Sequence, residues 1–375
     1  MNKRIIICGG GTAGHIYPAV AIIEEIIKRN NKVQVLFIGS KKGMEKDIAS
    51  KLGVKFLSVN STGLLQKASL CKKIKSYLSF LLNIFIGFFK SVKIIYNFKP
   101  NAVLGMGGYS CAPVLLACIF LREKFYLHEQ NYIPGRLNVF FSRFCTKIFV
   151  SFKETENYFK IKKSKIIFSG NPVRKIIRNA KNNNKKYEKY GLQDKKFTIT
   201  AFGGSLGADK INNTFLDFYE HFKTKQNYQF ILISGRRFFE NINSRYTEKG
   251  LNKHENFKIF PYVNEMDEIY NLSDLIISRS GANTVAEILI CNIPSILIPY
   301  PNAINNHQYY NAKFLEENGK AILINDYELT VDTLIKIIND IVSNNFKIYN
   351  ELKNRTVNDY FFNGHEIITN YLLGE

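Results

Sequence analysis

Short apolar runs alternate with longer amphipathic stretches along the first half of the chain. The apolar runs occupy residues 4–8, 33–38, 102–104, 125–127 and 147–150. Between them lie segments such as 19–29, whose apolar positions recur at helical spacing. Strands that alternate with helices in this way predict an α/β fold, with a parallel sheet covered by helices on both faces.

A second series of the same kind follows a polar break at 179–191. Its predicted strands are 197–201, 229–233, 258–260, 275–278 and 295–298. A chain of 375 residues also exceeds one ordinary core. We therefore expect two Rossmann-like domains, residues 1–165 and 166–344, that face each other across a cleft. The last helical part, about 345–375, is expected to pack back onto the first domain.

Composition adds a strong positive charge to this picture. The chain has 52 Lys and Arg against 31 Asp and Glu, which gives a net charge of +21. Such an excess favours phosphates, nucleic acid or an acidic membrane face as partners. The excess is local, because no carboxylate occurs between Asp47 and Glu123. The alternative is a lysine-rich composition spread over a solvated surface.

Within this basic interval lies an apolar stretch, residues 77–89. It is too short for a membrane span, which needs about 20 residues. Lysines on both sides instead predict a segment lying in an anionic membrane interface, and a core helix with solvated lysines is the alternative. The residues assigned to this surface are Lys72, Lys73, Lys75, Phe80, Leu81, Leu82, Ile84, Phe85, Phe88, Phe89 and Lys90.

Cysteine spacing and the N-terminus indicate where the protein works. The six cysteines show no CxxC pair and no disulfide-like spacing, which is typical of a reducing cytosol. The apolar run behind Lys3 and Arg4 ends after four residues in three glycines, so no signal peptide is expected.

The first glycine loop, Gly9-x-Gly11-x-x-Gly14, matches the dinucleotide fingerprint between a strand and a helix. The confirming acidic residue is missing, since the second strand runs into Ser40-Lys41-Lys42. Lysines there keep NADPH open as a minor alternative. A tight turn that needs glycine for its conformation alone is another alternative.

Three further segments carry groups suited to a nucleotide sugar. FGGSLGADKIN (202–212) offers amides, a helix N-terminus and the Ser205 hydroxyl to a phosphate. SRSGANTVAEI (278–288) places Glu287 where it can accept hydrogen bonds from a ribose diol. Residues 299–312 place Gln308 and Asn311 on one helix face, where side-chain amides suit sugar hydroxyls. Each segment also has an alternative interpretation without a binding role: a tight turn, a solvated glutamate, or surface amides.

The sequence contains no metal-ligand cluster and no Asp-x-Asp cation site. We therefore expect no cofactor and no metal site, and the need for a divalent cation is left open. Backbone amides and Arg174, in GNPVR (170–174), would then neutralise a bound diphosphate.

Seven segments occur together in the order of one known family. They are GGGTAGHIYPAVAI, GMGGYSCAP, HEQNYIPGRLN, GNPVR, GGSLGA, RSGANTVAEI and IPYPN…HQYYNA. Over residues 4 to 315 the chain resembles the MurG-type glycosyltransferases of peptidoglycan synthesis. The resemblance implies the GT-B fold and an inverting transfer of N-acetylglucosamine (GlcNAc) from UDP-GlcNAc. The implied acceptor is O4 of MurNAc in undecaprenyl-pyrophosphoryl-MurNAc-pentapeptide, so that lipid I becomes lipid II.

The resemblance also implies roles for individual residues. The donor would contact Thr12, Ala13, Gly14, Asn131, Arg174, Ser205, Val263, Ala282, Asn283, Thr284, Val285, Ala286, Glu287, Gln308 and Asn311. The loop facing the acceptor phosphates would comprise Gly10, Gly11, Gly107, Gly108 and Tyr109. Three positions depart from the family pattern: Ala13 replaces a glycine, Leu206 replaces a glutamine, and His307 replaces the first glutamine of a pair.

Inversion needs a base on the incoming hydroxyl and stabilisation of the departing UDP. His15 is the candidate base because imidazole titrates near neutral pH, and a loop-fixing histidine is the alternative. Glu129 and Asn131 are rivals or helpers in catalysis. The implied location is peripheral, on the cytoplasmic face of the bacterial plasma membrane, with no nucleic-acid partner. Two other functions stay open: another GT-B transferase with a lipid acceptor such as diacylglycerol, and a basic non-catalytic binding protein.

Overall fold

The computed structural model describes residues 3–41, 44–60, 70–204, 207–356 and 363–375, with the side chains of 70–74 outside the description. The chain divides into two compact units, Met1–Arg174 with Asp359–Glu375, and Lys175–Asn358. The division therefore falls later than the expected 165/166. The reason is that residues 166–168 pair as an edge strand of the first sheet and stay with that unit.

The first unit is a parallel sheet with helices on both faces. Its strands are β1 (Arg4–Cys8), β2 (Gln34–Ser40), β3 (Lys55–Val59), β4 (Ala102–Gly105), β5 (Phe125–Glu129), β6 (Lys147–Val150) and β7 (Ile166–Phe168). Its helices are α1 (Ala13–Arg29), α2 (Glu45–Lys51), α3 (Leu70–Phe98), α4 (Cys111–Leu121) and α5 (Arg136–Phe141). The described strands lie in the order β3-β2-β1-β4-β5-β6-β7.

The core of this unit forms on both faces of the sheet. Alternate residues of β1 point to opposite faces, so Ile5 and Ile7 pack on one side and Ile6 on the other. Helix α1 covers the first face, while α3 and α4 cover the second. Continuous burial along β1 explains why its sequence reads as an unbroken apolar run.

The second unit repeats this architecture. Its helices are α6 (Lys175–Arg178), α7 (Asp209–Phe222), α8 (Phe239–Glu248), α9 (Met266–Leu272), α10 (Ala282–Cys291), α11 (His307–Glu317), α12 (Val331–Val342) and α13 (Lys347–Asn354). Its strands are β8 (Phe197–Phe202), β9 (Tyr228–Ile233), β10 (Phe257–Phe260), β11 (Leu275–Ser278), β12 (Ser295–Leu297) and β13 (Ala321–Leu323). The described strands are parallel, in the order β10-β9-β8-β11-β12-β13.

The last helix, α14 (Gly364–Leu373), returns to the first unit and packs on α1. Helix α13 stays with the second unit, so the returning part is shorter than the expected 345–375. One ion pair links α1 to the end of the chain: Arg29 donates to Glu375, just after α14, at 2.9 Å. Within α1, Arg29 also donates to buried Glu25 at 2.8 Å. Burial raises the pKa of Glu25, but the Arg29 hydrogen bond and the Lys28 charge outweigh it, so this pKa is lowered.

Candidate functional site

Three neighbouring strands of the first unit, β1, β4 and β5, end at the same edge of the sheet. The chain continues from them into loops at 9–12, 106–110 and 130–135. Carboxyl ends of parallel strands are the usual position for a binding site in such folds. The sequence segments singled out in this half of the chain therefore come together at one edge.

The two glycine loops touch each other closely. A Cβ on Gly108 would lie 2.5 Å from the carbonyl oxygen of Gly10, and Gly108 has a φ of +82°. A Cβ on Gly107 would lie 3.0 Å from Cε1 of His15. Glycine at both positions therefore lets the 107–108 turn lie against the imidazole ring. Tyr109, the next residue, is exposed and its ring contacts Phe80 edge-on.

His15 lies in the first turn of α1, behind the residues Thr12, Ala13 and Gly14. Its Nδ1 is 3.2 Å from Oε1 of Gln130, the residue that follows β5. The residue is half-buried. This placement suits both a catalytic base and a loop-fixing histidine.

Glu129 is engaged in holding the loop after β5. Its carboxylate accepts hydrogen bonds from the backbone of Asn131 at 3.0 Å and of Gly135 at 2.9 Å, and from the Asn138 side chain at 2.8 Å. The side chain is buried. This geometry favours a role in positioning Asn131 over direct proton transfer by Glu129.

Glu45, the first residue of α2, contacts the first glycine loop, a contact that the sequence did not predict. It is fully buried, and its Oε1 accepts a hydrogen bond from the Gly11 amide at 2.9 Å. A Cβ on Gly10 would lie 2.0 Å from the same oxygen. The Gly11 amide, which was expected to face the acceptor phosphates, therefore donates to the Glu45 carboxylate instead.

Arg174 ends the first unit. Its guanidinium carbon lies 4.0 Å from the centroid of the Tyr17 ring, two residues after His15 on α1. Stacking on an aromatic face orients the guanidinium and leaves its charge in place. Arg174 therefore lies beside the first turns of α1, and its contact with a diphosphate stays a prediction.

The second glycine loop joins β8 to α7. A Cβ on Gly203 would lie 2.1 Å from the Ala208 amide nitrogen, so the turn requires glycine there for close packing. Gly204 has a φ of +81° and an open Cβ direction. Ser205, the expected phosphate donor, lies outside the described residues.

The stretch Ala282 to Ala286 forms the first turns of α10, after Gly281 at its N-cap. A helix N-terminus of this kind favours an anion. Glu287 follows in the same helix, and its Oε2 accepts a hydrogen bond from the Tyr270 hydroxyl at 2.8 Å. Glu287 is buried, and this hydrogen bond orients its carboxylate.

The two amides expected to bind the sugar differ in exposure. Gln308 is half-buried, and its Oε1 accepts from the Tyr300 amide at 3.0 Å. Asn311 is fully buried, and its Nδ2 donates to the Ser280 carbonyl at 3.1 Å. Asn311 thus braces the loop before α10, and its burial disfavours direct contact with a sugar hydroxyl. Val263 is buried after β10.

One cluster of possible metal ligands occurs among the described residues, contrary to expectation from the sequence. Glu25, His365 and Glu366 each offer a ligand atom, all within 4.8 Å of one another. Glu25 is ion-paired with Arg29 and lies ten residues after His15, about 15 Å further along α1. The cluster therefore lies where α14 packs on α1, away from His15.

Helix α3 forms the apolar surface expected to face a membrane. Leu81, Leu82, Phe85 and Phe89 are exposed, as are Lys75 and Lys90. Phe80, Ile84 and Phe88 are half-buried, while the side chains of Lys72 and Lys73 lie outside the described residues. The stretch Lys75–Phe98 is long and apolar enough to cross a membrane by length and composition, a test that core helices also pass.

Helix α4 extends this surface, which the sequence did not predict. Leu116, Ile119 and Phe120 join residues of α3 around an open apolar groove of about 800 Å³. The helices approach closely at Gly87, where a Cβ would lie 3.0 Å from Pro113. Because one side of α3 packs on the sheet and α4, its exposed side lies along the surface of the unit.

Comparison with known families matches both units. Residues 5–150 match the N-terminal domain of glycosyltransferase family 28, and residues 198–361 match its C-terminal domain. The chain belongs to glycosyltransferase family 28. Membership of family 28 confirms the expected GT-B fold and the expected enzyme class. It also removes the NADPH and non-catalytic alternatives.

Curated relatives indicate which type of family 28 enzyme this chain resembles. The chain is 38% identical over 339 residues to a Halalkalibacterium halodurans protein, covering 90% of each. It is 37% identical over 345 residues to a Bacillus pumilus protein, covering 92% of each. Both are named UDP-N-acetylglucosamine--N-acetylmuramyl-(pentapeptide) pyrophosphoryl-undecaprenol N-acetylglucosamine transferase. The resemblance to MurG-type transferases is confirmed.

Solved structures agree on the fold. MurG of Acinetobacter baumannii superposes with a TM-score of 0.73 at 22% identity, covering all of both chains. UDP-GlcNAc 2-epimerase of Neisseria meningitidis superposes with a TM-score of 0.71 at 15% identity, covering 99% of this chain and all of the epimerase. At these identities the likeness concerns the fold alone, which family 28 shares with other enzymes.

Proposed function

We propose that this family 28 enzyme transfers GlcNAc from UDP-GlcNAc to O4 of MurNAc in undecaprenyl-pyrophosphoryl-MurNAc-pentapeptide. The product is the β-1,4-linked disaccharide on the same lipid. The observation that carries the proposal is the His15 imidazole, held between the Gly107–Gly108 turn and Gln130. Relatives that cover nine-tenths of the chain and carry the name of this reaction support it.

The residues supply the groups that an inverting displacement needs. His15 takes the proton from the acceptor O4 as the new bond to the sugar C1 forms. The bond from C1 to the UDP oxygen breaks, and its electrons leave with UDP. Arg174 and the N-terminal amides of α10 are proposed to stabilise that negative charge. Glu129 is proposed to act through the loop it holds, with Asn131 as the contact.

The donor is assigned to the second unit and the acceptor to the first. Glu287 is proposed to bind the ribose hydroxyls, Val263 the uracil edge, and Gln308 the sugar. Thr12, Ala13 and Gly14 are proposed to complete the donor contacts. The proposal includes no cofactor and no metal site, and protein cations and amides are proposed to neutralise the diphosphate.

UDP release tests the reaction directly. UDP-GlcNAc is supplied with and without a muramyl-pentapeptide pyrophosphoryl lipid that carries a soluble tail. Release that requires the acceptor, with a disaccharide product, is the expected result. If UDP-GlcNAc binds but no sugar is transferred to this acceptor, the family and the donor assignment stand and the acceptor assignment is refuted. A GT-B transferase for diacylglycerol would instead glycosylate that lipid.

We further propose that the enzyme docks peripherally on the cytoplasmic face of the plasma membrane through α3 and α4. Leu81, Phe85 and Phe120 supply apolar contact, and Lys75 and Lys90 supply charge. An amphipathic surface with lysines at its border binds anionic lipid by both effects. Nucleic acid has no part in the proposal.

Vesicle binding is expected to fall when this surface acquires a negative charge. Phe85→Glu removes an apolar side chain that is 62% exposed, so the fold should tolerate the change. Losing its burial in lipid should weaken partitioning onto anionic vesicles about ten-fold, as measured by sedimentation. High salt should weaken wild-type binding, because it screens the lysines.

A matched control lies in the second unit. Ile304 is 54% exposed, and Ile304→Glu makes the same kind of change away from α3 and α4. This variant should bind anionic vesicles almost as well as the wild type. Equal loss in both variants would contradict docking through α3. Equal binding of the wild type to neutral vesicles would contradict the contribution of the lysines.

A further inference from the structure

The amide of Gln130 has one orientation that its neighbours allow. Its Nε2 lies 2.7 Å from the Met106 carbonyl oxygen, which can only accept a hydrogen bond. The group facing Met106 must therefore be the NH₂ of the amide. Met106 is itself fixed, because its backbone N–H donates to the Cys8 carbonyl at 2.7 Å. The Gln130 side chain is buried, so this orientation is held on all sides.

The second hydrogen of the same NH₂ points to His128. Nε2 of Gln130 lies 3.0 Å from Nδ1 of His128. Burial lowers the pKa of His128 to about 3, so this ring is neutral near pH 7. Its Nδ1 accepts from Gln130, and its Nε2 then carries the proton, facing the Gly170 carbonyl at 3.4 Å. Both hydrogens of the amide are thus used, by Met106 and by His128.

The amide oxygen consequently faces His15. Oε1 of Gln130 lies 3.2 Å from Nδ1 of His15, and an amide oxygen can only accept. We propose that Gln130 is a positioning residue that holds neutral His15 with its proton on Nδ1 and its lone pair on Nε2. This inference rests on the proposed function, in which His15 is the base.

The tautomer decides which nitrogen can act. The acceptor hydroxyl gives its proton to Nε2, and the ring becomes an imidazolium with a proton on each nitrogen. Gln130 Oε1 accepts the same Nδ1–H before and after the transfer, so the network need not rearrange during the step. A neutral amide also orients the ring without the strong rise in pKa that a carboxylate would cause.

Nitrogen NMR of the full chain tests the tautomer without any turnover. The chain has six histidines, so ¹⁵N-histidine labelling gives few signals. The His15 pair is assigned by its loss in His15→Gln. At about pH 8, where imidazole is neutral, we expect a protonated Nδ1 and a lone-pair Nε2. A protonated Nε2 in the wild type would overturn the proposal.

The Gln130→Met variant then distinguishes a role of Gln130 in positioning His15 from a role in packing. The variant keeps the side-chain length and removes the acceptor for Nδ1–H. We expect His15 to shift towards the Nε2–H form and kcat to fall about ten-fold, with KM for UDP-GlcNAc unchanged. Unchanged Nδ1 protonation in this variant would refute the role of Gln130. If the variant fails to fold, the wild-type spectrum alone decides.

Gln229→Met is the matched control. Gln229 is also buried, and its amide makes three hydrogen bonds, two with Gln193 and one with Thr198. It lies in the second unit, so its loss removes a comparable network without touching His15. The control should keep the His15 tautomer and kcat. If the enzyme instead proves inactive on the proposed acceptor, the spectrum still reports the tautomer, so the two failures are distinct.

Discussion

Replacing His15 by alanine is expected to lower kcat on the order of 10²-fold or more, with the fold retained. The imidazole is half-buried and lies against Gly107 and Gly108, at the edge where three strands end. No other imidazole is as well placed among the described residues of this edge, because His128 is fully buried. Turnover is measured at saturating concentrations of both substrates, so that a change in binding does not enter.

His221→Ala is the control for this prediction. His221 is exposed on α7 in the second unit, and its loss should leave turnover unchanged. Near wild-type kcat in His15→Ala would remove His15 as the base. Asn131 would then be the next residue to test, since Glu129 holds its backbone and side chain.

Gly108→Ala is expected to damage both catalysis and stability. A Cβ there would lie 2.5 Å from the Gly10 carbonyl oxygen and 3.3 Å from Cδ2 of His15. The backbone oxygen cannot move without shifting the loop that leads into α1 and His15. A displacement of about 1 Å at a reacting group can cost about 10² in rate, so kcat should fall by about that factor. Stability should also fall, and urea unfolding measures it.

Gly250→Ala isolates the effect of the clash. Gly250 has a φ of +65°, similar to the +82° of Gly108, but a Cβ there meets nothing within 4 Å. Both variants share the cost of an L residue in the left-handed region, about 1–2 kcal/mol. Only Gly108→Ala adds overpacking, about 1–3 kcal/mol more. Equal unfolding free energies and equal kcat in the two variants would contradict this account of the site.

The pattern of apolar residues predicted every central strand of the two described sheets. Of the four described edge strands it predicted only β10. The ten predicted strands all occur, with small shifts at their ends. The three that were missed, β3, β7 and β13, each lie at the edge of a sheet. An edge strand has one neighbour and partial exposure, so its sequence mixes polar with apolar residues, as KFLSV does in β3.

The residues of the candidate site were likewise predictable only in part. The glycine loops, His15 and Glu287 were recognisable because each has a local sequence context of strand, turn and helix. Glu45 and Gln130 were missed, although Gln130 lies inside a quoted motif. Glu45 reaches the first glycine loop from a different element, and a contact of that kind leaves no trace in local spacing.

The sequence by itself determined the two α/β units, the family and the identity of the reaction proposed here. Periodicity and turn residues act between neighbours in the chain, and the motifs occur in one order. Only the tertiary structure decided which groups are engaged and which are exposed. In the structure Glu129 holds the loop that contains Asn131, and Asn311 is buried. The Gln130 amide lies between Met106, His128 and His15. Hydrogen-bond partners distant in the chain are chosen by packing, because a buried donor or acceptor must find a partner wherever the fold brings one.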